Sequence, residues 1–285
     1  MRAHDAMSSA ASRLQRAGLQ SPVPDARLLL THLLGTTRGL LLAPDLTDAQ
    51  QSEFGVMVDR RVAGEPVQHI TGVAPFRYEE VLVGPGVFIP RSETEQLVEI
   101  ALRVLDGAGP GRRRVVELCA GSGAITLSLA REVDGLELHA VELSDEAWPW
   151  LKKNLAGVDA SLVHGDMADA FHELDGTVDL VVANPPYVPE TDRPLLPGDV
   201  VGWDPDVALF SGADGLEALT VVRDVASRLL RPGGHLVAEH DEKQSRQVLE
   251  LFSPPDFARS ADLPDLSGRP RHVIAQRSPV AGLTA

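Results

Sequence analysis

Between residues 113 and 240, short apolar runs alternate with amphipathic segments, and that alternation leaves the chain few architectures. RRVVELCAG, LELHAVEL, ASLVHGD, VDLVVANPP and GGHLVAEH read as strands; GAITLSLARE, SDEAWPWLKKNL and GLEALTVVRDVASRLL read as the helices among them. Strands alternating with helices predict an α/β fold, a parallel sheet covered by helices on both faces. The last apolar run, RHVIAQR, reads as an antiparallel edge strand. Upstream of the alternation, IPRSETEQLVEIALRVL starts a further helix, with Ser92 and Glu95 as a capping box and Leu97, Val98, Ala101, Val104 and Leu105 on one face.

Residues 1–72 have a different period. Leu28, Leu29, Leu30, Leu33 and Leu34, then Phe54, Met57, Val58 and Val62, recur at three- and four-residue spacing. Thr47 and Gln50 form a candidate capping box. This part carries no motif for chemistry and reads as a small helical bundle suited to docking. In residues 73–90, VAPFRYEEVLVGPGVFIP, apolar and aromatic residues sit among Gly and Pro, which predicts a β-hairpin turning at Gly84–Pro85–Gly86. The expected division is 1–72 helical, 73–90 hairpin linker and 91–285 α/β.

Composition narrows the function. No apolar run approaches the length of a membrane span, and the first residues lack the apolar core of a signal peptide. A single cysteine, Cys119, rules out an internal disulfide and fits a reducing compartment, so a cytoplasmic location is expected. The formal net charge of −15 disfavours non-specific contact with phosphate backbones. The basic run Arg112–Arg114 reads as a solvated strand entrance.

The first strand of the alternation ends in Glu117-Leu118-Cys119-Ala120-Gly121-Ser122-Gly123 before a helix. Glycines lack Cβ and let the backbone approach a ligand, although a tight turn that binds nothing has the same spelling. The next strand ends at Glu142, where a carboxylate can accept from both hydroxyls of a ribose. The third ends at Asp166, which can accept from an adenine amino group. A dinucleotide loop wants a small third residue, and Thr126 stands at that place. Glu117 would repel a pyrophosphate but favours the sulfonium and ammonium of S-adenosylmethionine, which is therefore the expected cofactor.

The fourth strand ends in Asn184-Pro185-Pro186-Tyr187. Proline fixes φ and donates no hydrogen bond. The Asn184 side-chain oxygen and the Pro185 carbonyl can then accept both protons of an incoming –NH₂ group, and Tyr187 offers a flat face to an amide or a base. An amide nitrogen is a poor nucleophile because its lone pair is delocalised. Two acceptors on its hydrogens favour a pyramidal nitrogen, so catalysis of methyl transfer is largely positioning and preorganised electrostatics.

These residues resemble the N(5)-glutamine methyltransferases that modify peptide-chain release factors. The likeness runs from about Arg60 to the C-terminus, through RRVAGEPVQHITG, FIPRSETEQLVE, VVELCAGSGAI, AVEL, GDM, NPPYVPE, GDVVGWDP, ALFSGADGL and RPGGHLVAEH. It implies a Rossmann-like, seven-stranded S-adenosylmethionine-dependent methyltransferase domain preceded by a small α-helical domain and a β-hairpin linker. It implies methyl transfer to the side-chain amide of the Gln in a Gly-Gly-Gln motif of release factors, modulating translation termination. A monomer is expected, and from the charge and the lack of an apolar span no direct nucleic-acid or membrane contact is expected. Carried over, Cys119, Ala120, Gly121, Ser122 and Gly123 form the cofactor loop, with Glu117 before it. Glu142 takes the ribose, and Asp166 and Met167 lie by the adenine. Asn184, Pro185, Pro186 and Tyr187 hold the glutamine, Asn184 beside the cofactor, while Arg91 steadies the hairpin or the substrate side. The family usually has Gly and Thr at positions 119 and 120, Asp at 117 and 142, and Glu at 204.

Three other readings compete. A ribosomal-protein glutamine methyltransferase shares the core motif. An adenine-N6 nucleic-acid methyltransferase uses the same tetrapeptide, against the charge of this chain. A binding module could sense the cofactor without turnover. His235 and His240 find no partners for a metal site, and no metal is expected. Cys119 reads as an apolar filler, the tryptophans as packing, and Glu239 and Asp241 as exposed or edge-packed.

Overall fold

The computed structural model describes residues 1–36, 45–107, 111, 113–196, 198 and 200–279. Arg112 of the basic run and Asp199 of GDVVGWDP lie outside the described residues. The chain divides into two compact units. The first holds Met1–Val73 with Val83–Pro85 and the stretch ending at Trp203; the second holds the rest.

In the first unit, α1 (Ala3–Arg16), α2 (Pro22–Leu34), α3 (Asp48–Val62) and the short α4 (Val67–Thr71) bury one apolar core. Leu14, Ala26, Leu29, Leu30, Phe54 and Val58 are its centre. Leu28 and Val62 carry the same period but face outward. The capping box of α3 is present: Thr47 Oγ1 accepts from the Gln50 N–H, and Gln50 Oε1 accepts from the Thr47 N–H. One ion pair is buried there, Arg61 Nε to Asp25 Oδ2 at 2.8 Å. Such a pair is costly to split, because either partner alone is an uncompensated charge.

The hairpin is real, but it turns elsewhere. β1 (Val73–Phe76) and β2 (Glu79–Leu82) form a two-stranded sheet joined by Arg77–Tyr78, not by Gly84–Pro85–Gly86. Arg77 has φ 52, a conformation that disfavours side chains. Partners distant in sequence hold it: its guanidinium pairs with Glu132 at 2.5 Å, and its N–H donates to Glu95 Oε1. Glu95 is thereby taken from the expected capping box. Helix α5 (Thr94–Gly107) starts two residues beyond Ser92, whose hydroxyl donates to Glu93 instead.

The second unit continues with β3 (Arg113–Leu118), α6 (Ala124–Glu132), β4 (Leu136–Glu142), α7 (Trp148–Asn154), β5 (Ala160–His164) and β6 (Val178–Ala183). It ends with α8 (Asp206–Leu209), α9 (Glu217–Leu229), β7 (Leu230–Glu239), α10 (Ser245–Leu251), β8 (Phe257–Pro264) and β9 (Pro270–Arg277). The seven-stranded sheet runs β5-β4-β3-β6-β7-β9-β8. The first five strands are parallel, and β9 is antiparallel to both of its neighbours. The central parallel strands β3, β4, β6 and the second half of β7 are largely buried, which is why they read as near-continuous apolar runs, while β5 at the sheet's end is half-buried. This is the seven-stranded Rossmann-like methyltransferase architecture that the resemblance implies.

RHVIAQR is antiparallel as expected, yet it is not the edge. It lies between β7 and β8, and FARSADLP forms the edge strand. A half-exposed edge strand has few apolar positions, so this segment carries no strong strand signal. At the other end of β3, Arg113 donates to the Leu105 carbonyl and Arg114 pairs with Glu137, so both are half-buried, not solvated.

Candidate active site

Strand order reverses between β3 and β6, and the parallel strands end together on that side. Leu118 is in register with Ala183 on one flank and Val141 on the other, and Ala183 with Ala238. Residues one or two places further on therefore converge from four strands. Such a switch point is where open α/β sheets place ligands. A cavity of about 420 Å³ opens there, within the range of small-molecule sites.

The loop after β3 makes its near wall. Cys119 and Gly121 have φ 57 and 55, and Gly123 has φ 80. Cys119, Ala120, Gly121 and Ser122 line the cavity. Gly123 does not: a Cβ there would lie 2.7 Å from Leu151 Cδ1, so this glycine lets α6 pack against α7. The left-handed φ at 119 gives a physical reason for a family preference for Gly; here a Cys bears the strain, of order 1–2 kcal/mol. Its Sγ contacts Met167 Sδ at 3.6 Å, and burial and nearby carboxylates push the thiol up, away from the reactive thiolate.

Two carboxylates set the electrostatics. Glu142 Oε2 accepts from the Gly121 N–H and Oε1 from the Ser144 N–H, each at 2.7 Å. It thus ties the loop to the end of β4 while lining the cavity. Glu117 also lines the cavity but is only 1 % exposed. Its Oε2 accepts from both the N–H and the hydroxyl of Thr126, and its Oε1 accepts no hydrogen bond among the described residues. Burial pushes this carboxyl up to about 8, against the Thr126 hydrogen bonds and with help from Glu142. A buried acid of this kind, with a free oxygen at a cavity wall, fits a cationic ligand group. Beyond β5, Asp166 Oδ1 accepts from the Ala168 N–H, and Asp166 and Met167 both line the cavity.

The far wall carries Asn184, Pro186 and Tyr187; Pro185 is buried behind them. Asn184 Nδ2 donates to Thr94 Oγ1 at 3.0 Å. Thr94 Oγ1 donates to Glu239 Oε2 at 2.8 Å, and Tyr187 Oη donates to Glu239 Oε1 at 2.9 Å. Glu239 is therefore no exposed or edge residue: it is 2 % exposed at the end of β7, beside Asn184. Burial, and the neighbouring carboxylate with it, hold the Tyr187 hydroxyl protonated. The Tyr187 carbonyl accepts from Gln244 Nε2 at 3.0 Å, and a Cβ on Gly215 would fall 2.1 Å from that carbonyl oxygen.

Arg91 does not line the cavity. Its guanidinium pairs with the buried carboxylate of Asp204 and lies over the Phe88 ring, 5.0 Å from its centroid. Asp204 also accepts from the Ile89 N–H. The pair anchors the segment that brings Phe88 to the cavity. Thr94, Glu239, Gly215 and Gln244 were missed as site residues. The first three lie inside FIPRSETEQLVE, RPGGHLVAEH and ALFSGADGL, so their signal was present without a role attached.

Comparison with known proteins shows the family. Residues 5–72 match the family model described as PrmC N-terminal domain, and residues 80–195 match Methyltransferase small domain. A release factor glutamine methyltransferase from Streptomyces coelicolor is 46% identical over 275 residues, covering 95% of this chain and 97% of its own. The chain belongs to the release factor glutamine methyltransferases. Membership in this family makes it an enzyme, a methyltransferase. A second relative, from Streptomyces pristinaespiralis, is 38% identical over 87% of this chain and 86% of its own, and is a 4-amino-L-phenylalanine/4-methylamino-L-phenylalanine methyltransferase. The fold alone is shared with the hMettl16 catalytic domain in complex with MAT2A 3'UTR hairpin 6, at a TM-score of 0.53 and 12% identity over 83% of this chain and 84% of that one. This chain carries Glu at 117 and 142 and Cys at 119.

Proposed function

We propose that this enzyme methylates the side-chain amide nitrogen of the Gln in the Gly-Gly-Gln motif of peptide-chain release factors, with S-adenosyl-L-methionine as donor. The observation that carries the reading is the Asn184 amide, tethered through Nδ2 and lining a cavity whose other wall holds a buried carboxyl with a free oxygen. S-adenosylmethionine, when bound, supplies an electrophilic methyl carbon. Of the residues that line the cavity, Glu117 would hold its cationic amino-acid end, Glu142 its ribose, and Asp166 and Met167 its adenine. Asn184 Oδ1 and the Pro185 carbonyl accept the two protons of the acceptor –NH₂ and orient its lone pair. Tyr187 packs on the plane of the amide. The nitrogen, cationic after transfer, is acidic enough to lose its proton to water, and no dedicated base is required.

The helical unit is assigned to docking of the release factor, on the strength of its exposed Val23, Leu28 and Val56 and its want of a chemical motif. The charge of −15 favours a protein acceptor over a nucleic acid, and the single cysteine a cytoplasmic setting. A second reading has one observation behind it: the relative that methylates an aromatic amine shares most of the chain. An aryl amine, like an amide, has a delocalised lone pair and two protons to be held.

Labelled S-adenosylmethionine, a purified release factor and its Gln→Ala variant in the Gly-Gly-Gln loop test the reading. Label on the first protein alone is expected. Equal label on both places the acceptor elsewhere, and transfer only to 4-amino-L-phenylalanine selects the second reading.

A further inference from the structure

An Asn side chain can present either its oxygen or its –NH₂ to a neighbour, and only the oxygen suits an acceptor nitrogen that already carries two protons. Something must choose the orientation of Asn184. Its oxygen accepts no hydrogen bond among the described residues; its Nδ2 is held by Thr94 Oγ1. A threonine hydroxyl has one proton, so it donates in one direction only. An ionised carboxylate is acceptor-only, so that proton goes to Glu239 Oε2. Thr94 is left an acceptor toward Asn184, which must turn its –NH₂ to Thr94 and its oxygen away.

We propose that Thr94 and Glu239 are positioning residues of the methyl-transfer site: the chain Glu239–Thr94–Asn184 fixes which end of the Asn184 amide meets the acceptor nitrogen. The proposal rests on the reading of Asn184 given above. Neither residue needs to touch the substrate. Tyr187, donating to Glu239 Oε1, belongs to the same chain, so one buried carboxylate directs two of the four residues of the motif.

Direction in such a chain is reversible. If Glu239 takes a proton on Oε2 it becomes a donor to Thr94. The hydroxyl then turns to Asn184, and the amide must offer Thr94 its oxygen. Two donors, the Asn184 –NH₂ and the acceptor –NH₂, then face each other. Burial raises the Glu239 carboxyl above its ordinary range, while Thr94, Tyr187 and Arg271 oppose this and Glu93 adds to it. Of the other charged groups near it, Asp241 follows on the same strand's exit, and His272 is its register partner on β9. Burial holds His272 neutral, down to about 4. The ionised form is the competent one, so turnover at saturating cofactor is retained above the Glu239 pKa and lost as pH falls through it.

The test uses the full chain, with a release factor as acceptor. Thr94→Val is isosteric and removes the hydroxyl; kcat should fall by about 10²-fold, the usual cost of misplacing a reacting group by an ångström. Affinity for S-adenosylhomocysteine, by calorimetry, should stay within about threefold, and Thr94→Ser should restore most of the turnover. Nitrogen-15 NMR of the Asn184 side chain gives a readout apart from activity: slow exchange of the –NH₂ protons in the wild type, fast exchange in Thr94→Val. Glu239→Gln should lack the acid limb seen in the wild type. Wild-type kcat in Thr94→Val, no rescue by Ser, or unchanged amide exchange overturns the proposal. If Thr94→Val does not fold, the acid limb decides, and its persistence in Glu239→Gln overturns the proposal. If the wild type methylates no glutamine, the reading of the site fails, while amide exchange still decides the chain.

Discussion

Replacing Glu117 by Gln separates the two things this carboxyl does. In the ligand-free protein it sits at about 8 instead of its ordinary 4.5 because it is buried. Between those values the folded state holds a proton that the unfolded state has lost, so stability falls as pH rises from 4.5 and levels off above 8. At about 1.4 kcal/mol per pH unit, the interval amounts to a ceiling of about 5 kcal/mol. A neutral Gln keeps an acceptor for Thr126 and feels none of this. Without ligand, Glu117→Gln should melt close to the wild type at pH 5 and well above it at pH 8.5. The gap should be of order 10 °C, taking about 2–4 °C per kcal/mol for a chain of this size. Scanning calorimetry at the two pH values measures it. Ligand reverses the ranking, because a cationic group opposite Glu117 favours the carboxylate. Cofactor binding by the wild type at pH 7 should release close to one proton, seen as a dependence of the calorimetric heat on buffer ionisation, and the Gln variant should release none. Parallel pH slopes for the two proteins would refute the reasoning outright, since the slope is the signature of the displaced carboxyl.

Further predictions concern the walls of the cavity. Asn184→Ala should leave cofactor affinity within a few-fold and cut kcat by about 10²–10³, as for loss of one preorganised hydrogen-bonding group; unchanged turnover in a methyl-transfer assay would remove Asn184 from the reaction. Glu142→Ala should weaken cofactor binding by about 1.5–3 kcal/mol in calorimetry, through lost charged hydrogen bonds to the ligand and to Gly121. Gly123→Ala meets Leu151 and a left-handed φ, and should lower stability by about 1–3 kcal/mol in thermal unfolding while leaving the cavity-lining residues of the loop in place.

Most of the site was legible because its residues sit where strands end. Glu117, Glu142, Asp166 and Asn184 each follow an apolar run, and apolar runs are easy to read when both faces of a sheet are buried. The signals that failed were those that depend on distant partners. Glu239 has the same place at a strand end as Asn184, yet nothing local distinguishes an exposed acid from one that holds Thr94 and Tyr187. Ser92 and Glu95 spell a capping box, but Glu95 is claimed by the Arg77 N–H, eighteen positions away in sequence. Gly84–Pro85–Gly86 is the stronger turn spelling, and the hairpin still turns at Arg77, held by Glu132.

From the sequence alone came the α/β alternation, the acid at the end of each early strand, the glycine loop and the stiff Asn-Pro-Pro-Tyr exit. These are local: they follow from side-chain period, from φ freedom at glycine and from φ restriction at proline. The tertiary structure alone decided which strand is the edge, which loop glycine lines the cavity and which packs a helix. It also decided which way the Asn184 amide points. A hydrogen-bonded chain from β7 through α5 to the end of β6 sets that orientation, and its two links join residues one hundred and forty-five and ninety positions apart in sequence.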